Sequence, residues 1–434
     1  MSGVQRDPND PALRSWVPAS GSGDFPIQNL PYGVFREGGS VRPGVAIGES
    51  VLDLRALGSA GLLAPAIPDA PALFAEPSLN ALAASGRTTW RALRTRLSEL
   101  LAEGNRELLD AGIAQSALVR RDSVEMLLPV QIGDYVDFYS SLEHATNLGK
   151  ILRPGSEPLL PNWRHLPVGY HGRSGTVVVS GTPVVRPRGQ RKSPGSEAPD
   201  FGPSRMLDFE LEMGFVTGTG PGLGIPVPVE RAGEFIFGAV LVNDWSARDI
   251  QAWEYQPLGP FLGKSFATSI SPWIVPLDAL EPYRVTGPVQ QPEPLAYLRE
   301  SEPRSFDVAL EVNLSSEGML RSGAPPQRIS RGNMFGLYWS MAQQLAHLTC
   351  NGATIRAGDL CASGTISGSE PSSYGSMIEL TWRGTQPLTL ADGSTRGFLE
   401  DGDRVTMRAF CEGDARTRIG FGEVSGTVLA AGSR

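Results

Sequence analysis

From about residue 130 onward the chain is divided into short apolar runs of β type: TVVVSGTPVV, MLDFELEMGFV, IFGAVLVND, SPWIVPL, FDVALEVNL, SMIELTW and DRVTMRAF. Two helical windows, SARDIQAWEY and RGNMFGLYWSMAQQLAHLTC, interrupt them, and Pro/Gly-rich loops fall at 186–205 and 282–304. Many short strands with so little helix between them argue against a doubly wound parallel sheet and predict an antiparallel or mixed β roll or sandwich. Upstream the pattern differs. Residues 15–60 are turn-rich with short runs such as GVAIGES and VLDL. Over Thr88–Arg121, Trp90, Leu93, Leu97 and Leu100 recur at helical spacing, which predicts an amphipathic helix. The expected fold is mainly β with α/β elements. Residues 1–14 form a polar, mobile extension, 15–125 a small N-terminal β domain carrying the helix, and 126–434 a larger β-roll domain.

Within that β-rich part, MLDFELEMGFV is unusual. Its large apolar residues, Leu207, Phe209, Leu211, Met213 and Phe215, belong in a core, yet Asp208, Glu210 and Glu212 alternate with them. In one continuous strand all three acids share a face, where like charges repel and resist desolvation. Either the face meets solvent or a divalent cation lies among the acids. Hard cations such as magnesium and calcium suit carboxylate oxygens. Further ligands are available. Asp244 ends the run IFGAVLVND, and Asp134 and Asp137 flank aromatics in IGDYVDFYSSLEHATN, with His144 seven residues after Asp137. Ser246 and Asp249 have capping-box spacing, and Arg248, Gln251 and Tyr255 follow on one helical face. Lys264 and Thr268 share a face if extended, and a lysine set between Gly263 and apolar residues calls for an anion. His165 and His171 sit in a glycine-containing loop, and His347 reads as a structural hydrogen-bonder.

Composition narrows the function class. The net charge is −8 with no dense Lys/Arg block, against nonspecific nucleic-acid or anionic-membrane binding. No apolar run approaches the ~20 residues that span a bilayer, and the N-terminus lacks the apolar stretch of a signal peptide. Three cysteines, Cys350, Cys361 and Cys411, make no disulfide framework and no CxxC pair. They read as small buried thiols of a cytoplasmic protein. With four histidines, a tetrahedral zinc site is disfavoured.

The segments DFPIQNLPYGVF, IGDYVDFYSSLEHATN, NWRHLPVGYHGR, LDFELEM, NDWSARDIQAWEY, PLGPFLGKSF and ASGTISG together resemble the fumarylacetoacetase family, in order and from about Asp24 to near the C-terminus. That resemblance implies a small N-terminal β-barrel-like domain joined to a C-terminal mixed β roll, working as a homodimer without nucleic-acid or membrane partners. It implies metal-dependent hydrolysis of the C–C bond of 4-fumarylacetoacetate, the last step of tyrosine and phenylalanine breakdown, with magnesium or calcium as cofactor. The alternatives are relatives acting on another 1,3-dicarbonyl or 2-oxo acid, as acylpyruvate hydrolase, decarboxylase or hydratase, or a noncatalytic metal-stabilised scaffold. Carried over by motif, the metal ligands are Asp137, Glu210, Glu212 and Asp244, with Lys264 and Thr268 beside them. The general base is His144, oriented by Glu379. Arg248, Gln251 and Lys264 stabilise the leaving group, and Tyr139, Arg153, Tyr170, Gln251, Tyr255 and Thr365 contact substrate. Ala267 departs from the family's usual glycine, and a minor adjustment is expected there. Asp208 is expected to support the ligands from behind or to face water.

Overall fold

A computed structural model describes residues 7–21, 23–413 and 416–432. The fold is mixed α/β, mainly strands, with a curled sheet. Its centre is a mixed sheet in the spatial order Gly169–His171, Tyr135–Phe138, Leu360–Ala362, Leu211–Thr217, Ile236–Asp244, Thr268–Ile270, Val177–Val179. The pairs 360–362 with 135–138 and 268–270 with 177–179 are parallel, and the rest of this ladder is antiparallel. A second sheet runs Gln327–Asn333, Ala309–Ser315, Arg404–Gly413, Arg416–Leu429, Val184–Val185. Its Leu310, Val312, Met407 and Val424 share one core with Leu211, Met213, Phe215, Ala239 and Leu241 of the central sheet.

The central sheet is covered on its other face too. Alternate residues Val216, Val240 and Val242 join a second core with Tyr32, Val34, Val45 and Leu52 of an N-terminal sheet and with Trp90, Leu93, Leu97 and Leu100 of the Arg87–Leu101 helix. The period-two pattern of Leu211–Thr217 and Ile236–Asp244 therefore sorts side chains between two apolar cores. At about 25 cal/mol per Å², these buried faces supply the main drive for folding.

Several local expectations are corrected. The helix expected over 88–121 ends at Leu101; the chain turns at Gly104 (φ +87°) and continues as separate one-turn helices. MLDFELEMGFV is two strands, Leu207–Asp208 and Leu211–Thr217, broken at Phe209-Glu210. SMIELTW is not a strand: Met377–Leu380 is a helical turn. The window 331–350 holds a single 3-10 turn at Met334–Gly336 and is α-helical over Met341–Thr349, where Ser340 and Gln343 form a capping box. Ser246 and Asp249 form none; Asp249 instead accepts from the Ser204 hydroxyl and the Arg205 N–H. The described part of the expected mobile extension packs: Leu13 is buried, and Asn9 accepts from Arg94 and donates to the Asp278 carbonyl. Residues 1–6 lie outside the described residues. Cys361 and Cys411 are buried as expected, but Cys350 is exposed, and all three are free.

Candidate active site

Sheet register assembles the acids. Asp137, Glu212 and Asp244 share the sheet face of Tyr135, Val216 and Val242, each near a strand end. Glu210 comes from the break between strands, where it makes an isolated bridge with Ser376. A ligand oxygen from each of the four lies within 4.8 Å of the others, and all four residues are buried. Leu207, Phe209, Leu211 and Met213 enter one core on both sides of the break, so the period-two alternation carries through it and leaves Glu210 and Glu212 on the opposite side.

Two cations face this cluster. Lys264 Nζ contacts Glu210 and lies 2.7 Å from Asp244 Oδ2. Arg248 Nη1 lies 2.7 Å from Glu210 Oε1. Burial disfavours charge on Glu210, but Lys264 and Arg248 overcome it and hold its carboxyl well below the usual range. Burial likewise opposes the Lys264 charge, yet Asp244 and Glu210 prevail and keep it an ammonium. Asp137 and Glu212 are left out. Desolvation first, then their acidic neighbours, push both carboxyls far above the usual range. Asp137 Oδ1 and Glu212 Oε1 are buried with no hydrogen-bond partner among the described residues. Unpartnered oxygens inside an all-carboxylate donor set fit a hard divalent cation.

The surroundings are ordered by hydrogen bonds. Thr268, opposite Asp244 on the ladder, donates to its Oδ1 at 2.7 Å, and the Tyr170 hydroxyl reaches Oδ2 at 3.1 Å. Gly364 N–H donates to Glu212 Oε2 at 3.0 Å; its φ of +75° and the nearby Phe138 carbonyl leave no room for a side chain. Ala267 adopts an ordinary backbone conformation and packs into the core beside Thr268.

His144 lies on the Leu142–Leu152 helix, which Ser141 caps. Its Nδ1 lies 2.7 Å from Glu379 Oε2, and the imidazole is close enough to Glu210 to help lower that acid's pKa. Glu379 also accepts from Asn147, Ser367 and Ser376. Burial opposes its charge, but His144, Ser376 and Asn147 hold its carboxyl below the usual range. Such a pair leaves Nε2 as the lone pair available for proton abstraction.

Among the substrate candidates, Tyr139 stands edge-on to His144, with ring centroids 5.4 Å apart. Burial first, then Glu379 and Glu210, push its phenol up, while Arg153 and Arg248 oppose this. Arg153 therefore lies within electrostatic reach, although its Nη2 bonds the Pro158 carbonyl. Thr365 Oγ1 is buried and without a partner among the described residues, and Gln251 Oε1 accepts from Arg248 Nη1 at 3.2 Å. Tyr255 follows the helix Arg248–Glu254 and contacts Gln256; no hydrogen bond ties it to the cluster. Asp134 pairs with Arg356, and His347 with the Tyr297 hydroxyl, both away from the site. Sequence reasoning missed Asn147, Ser367 and Ser376. The i, i+3 spacing of His144 and Asn147 on one helix was a usable signal for the first.

Residues 28–129 match the family described as fumarylacetoacetase N-terminal, and residues 135–429 the one described as fumarylacetoacetate (FAA) hydrolase C-terminal. The chain is 50% identical to the fumarylacetoacetase of Homo sapiens over 420 residues, 96% of this chain and 99% of that protein. It is 49% identical to that of Arabidopsis thaliana, over 96% and 98%. In fold it is similar to the fumarylacetoacetate hydrolase from psychrophilic Exiguobacterium antarcticum, with a TM-score of 0.52 at 18% identity over 92% of this chain and 99% of that one. Matched in both halves, and sharing half its residues with relatives covered almost end to end, this chain belongs to the fumarylacetoacetate hydrolase family.

Proposed function

We propose that the protein hydrolyses the C–C bond of 4-fumarylacetoacetate to fumarate and acetoacetate. The observation that carries this reading is the meeting, in one buried site, of four carboxylates, two cations and the His144–Glu379 pair. Asp137, Glu210, Glu212 and Asp244 would hold a divalent ion, magnesium or calcium, which supplies positive charge to polarise the substrate's dicarbonyl oxygens. The remaining work falls to the chain's own groups. His144 Nε2 takes a proton from water as the hydroxyl adds to the carbonyl carbon, and Glu379 holds Nδ1–H and balances the imidazolium. The C–C bond then breaks, fumarate forms, and the acetoacetate carbanion takes up a proton. Lys264 and Arg248 stay protonated, so they act as donors to oxygens gaining charge, with Gln251 orienting Arg248. Arg153, Tyr139, Tyr170, Tyr255 and Thr365 bind the substrate's carboxylates and oxygens.

The same reading has residues 15–125 and 126–434 as two domains of a cytoplasmic homodimer. Free thiols support the compartment, and light scattering should give twice the 46.4 kDa chain mass. No helix among the described residues is long and apolar enough to cross a membrane. Purified protein with magnesium or calcium should release fumarate and acetoacetate in equal amounts. Turnover of acylpyruvates without turnover of fumarylacetoacetate would overturn the proposal.

A further inference from the structure

Asp208 is fully buried, yet it is none of the four clustered acids. Its carboxylate joins two parts of the site that are distant in sequence. Oδ2 accepts from Arg248 Nε at 2.7 Å and from Ile378 N–H at 3.1 Å. Oδ1 accepts from Met377 N–H at 2.6 Å and from Phe209 N–H at 2.8 Å. Met377 and Ile378 open the helical turn that carries Glu379, so Asp208 satisfies backbone donors that such a turn leaves unpaired. The backbone aims the group there. Leu207 and Asp208 pair with Ala247 and Ser246, which sets Asp208 beside Arg248, and Glu210 bridges Ser376 just before the turn. The Leu211 N–H also bonds the Gly375 carbonyl at 2.9 Å. Without this carboxylate, Arg248 would keep only Glu210 and Gln251, and its fork would be free to rotate.

We propose that Asp208 is a positioning residue: one buried carboxylate fixes both the Arg248 guanidinium and the turn bearing Glu379. The donor that meets developing negative charge and the acid that orients the base are thereby held in register. This inference rests on the hydrolase reading for its kinetic consequence, but not for its geometry. Asp208→Asn keeps the shape, removes the charge and turns an N–H₂ toward one of its present donors. It should lower kcat about 10–100-fold, the usual cost of losing an outer-shell partner, with KM changed less than about threefold.

The test combines kinetics and crystallography. A double-substitution cycle with Arg248→Lys should be strongly non-additive, because Asp208 acts through Arg248. A crystal structure of Asp208→Asn should show the Arg248 guanidinium displaced from Glu210. Asp208→Glu, which keeps the charge but shifts it by a methylene, should show the same kcat loss with a melting temperature close to the parent's. Wild-type kcat in Asp208→Asn, additive effects in the cycle, or an unmoved Arg248 would each overturn the proposal. Failure of both Asp208 variants to fold would make the residue one of folding and overturn it too. An inactive parent enzyme would defeat the hydrolase reading alone, since the crystallographic comparison still reads Asp208 directly.

Discussion

Glu212→Gln should change stability and metal affinity in opposite directions. Glu212 is buried, one of its oxygens has no partner, and three other carboxylates place an oxygen within 4.8 Å. At an effective dielectric of about 20, each like-charge pair at that separation costs about 3.5 kcal/mol. Burial together with the ionised Glu210 beside it therefore offsets what protonation costs, and the balance favours the protonated carboxyl. For a glutamate of ordinary pKa about 4.3, holding that proton at pH 7 costs about 4 kcal/mol. Glutamine keeps the acceptor for Gly364 N–H without this cost, so it should stabilise the metal-free fold by up to about 4 kcal/mol. The sign with pH follows from linkage. A folded-state pKa raised above its unfolded value means the native state holds the proton that the unfolded chain releases. The parent's metal-free stability is then greatest below the unfolded pKa and falls as pH rises toward the folded one, by about 1.4 kcal/mol per unit for one such group. Glu212→Gln should lose that group's share of the slope. Its affinity for magnesium or calcium should fall at least about 100-fold, the upper end of the loss from removing a mere outer-shell partner. Urea unfolding in chelator from pH 5 to 8 and calorimetric titration with calcium measure both. A variant that is less stable without metal and binds calcium as the parent does would refute the reasoning, making Glu212 a hydrogen-bonding residue and not a ligand.

Calcium binding should expel protons, because burial and acidic neighbours push the Asp137 and Glu212 carboxyls up and favour their protonated forms without it; equal calorimetric heats in buffers of different protonation enthalpy would contradict this. Lys264→Met should lower kcat about 100–1,000-fold with little change in KM, as loss of one oxyanion donor does; a change in KM alone would make Lys264 a binding group. Glu379→Gln should reduce kcat by roughly 10²–10⁴-fold, by analogy with loss of a base-orienting carboxylate, and leave calcium affinity intact. A weakened metal site in that variant would show that Glu379 acts on the cluster and not on His144.

Much of the site was legible because its chemistry conflicts with its surroundings. Three acids among core-sized apolar residues, a lysine next to Gly263 and an aspartate ending a buried strand each signalled a cost that some partner must offset. The alternation of Leu211–Thr217 and Ile236–Asp244 likewise survived, since both sheet faces are buried and period two decides which core each side chain joins. What escaped was set by distant contacts. SMIELTW has the apolar content of a strand, but the Asp208 carboxylate captures the Met377 and Ile378 N–H groups and favours a helical turn. The 206–216 segment breaks at Glu210 because that residue bridges Ser376, far along the chain. Asp249 looked like a cap partner for Ser246 but is held by Ser204 and Arg205. For Asp208 the sequence left two readings, support behind the ligands or exposure to water; its burial excludes the second, and its bonds to Arg248 and the Glu379 turn depend on distant contacts.

Crystals soaked with manganese, measured at its absorption edge, test the central claim most directly. The account predicts a single strong anomalous peak bounded by oxygens of Asp137, Glu210, Glu212 and Asp244. A peak elsewhere, or none at millimolar manganese with the four carboxylates still gathered, would contradict it.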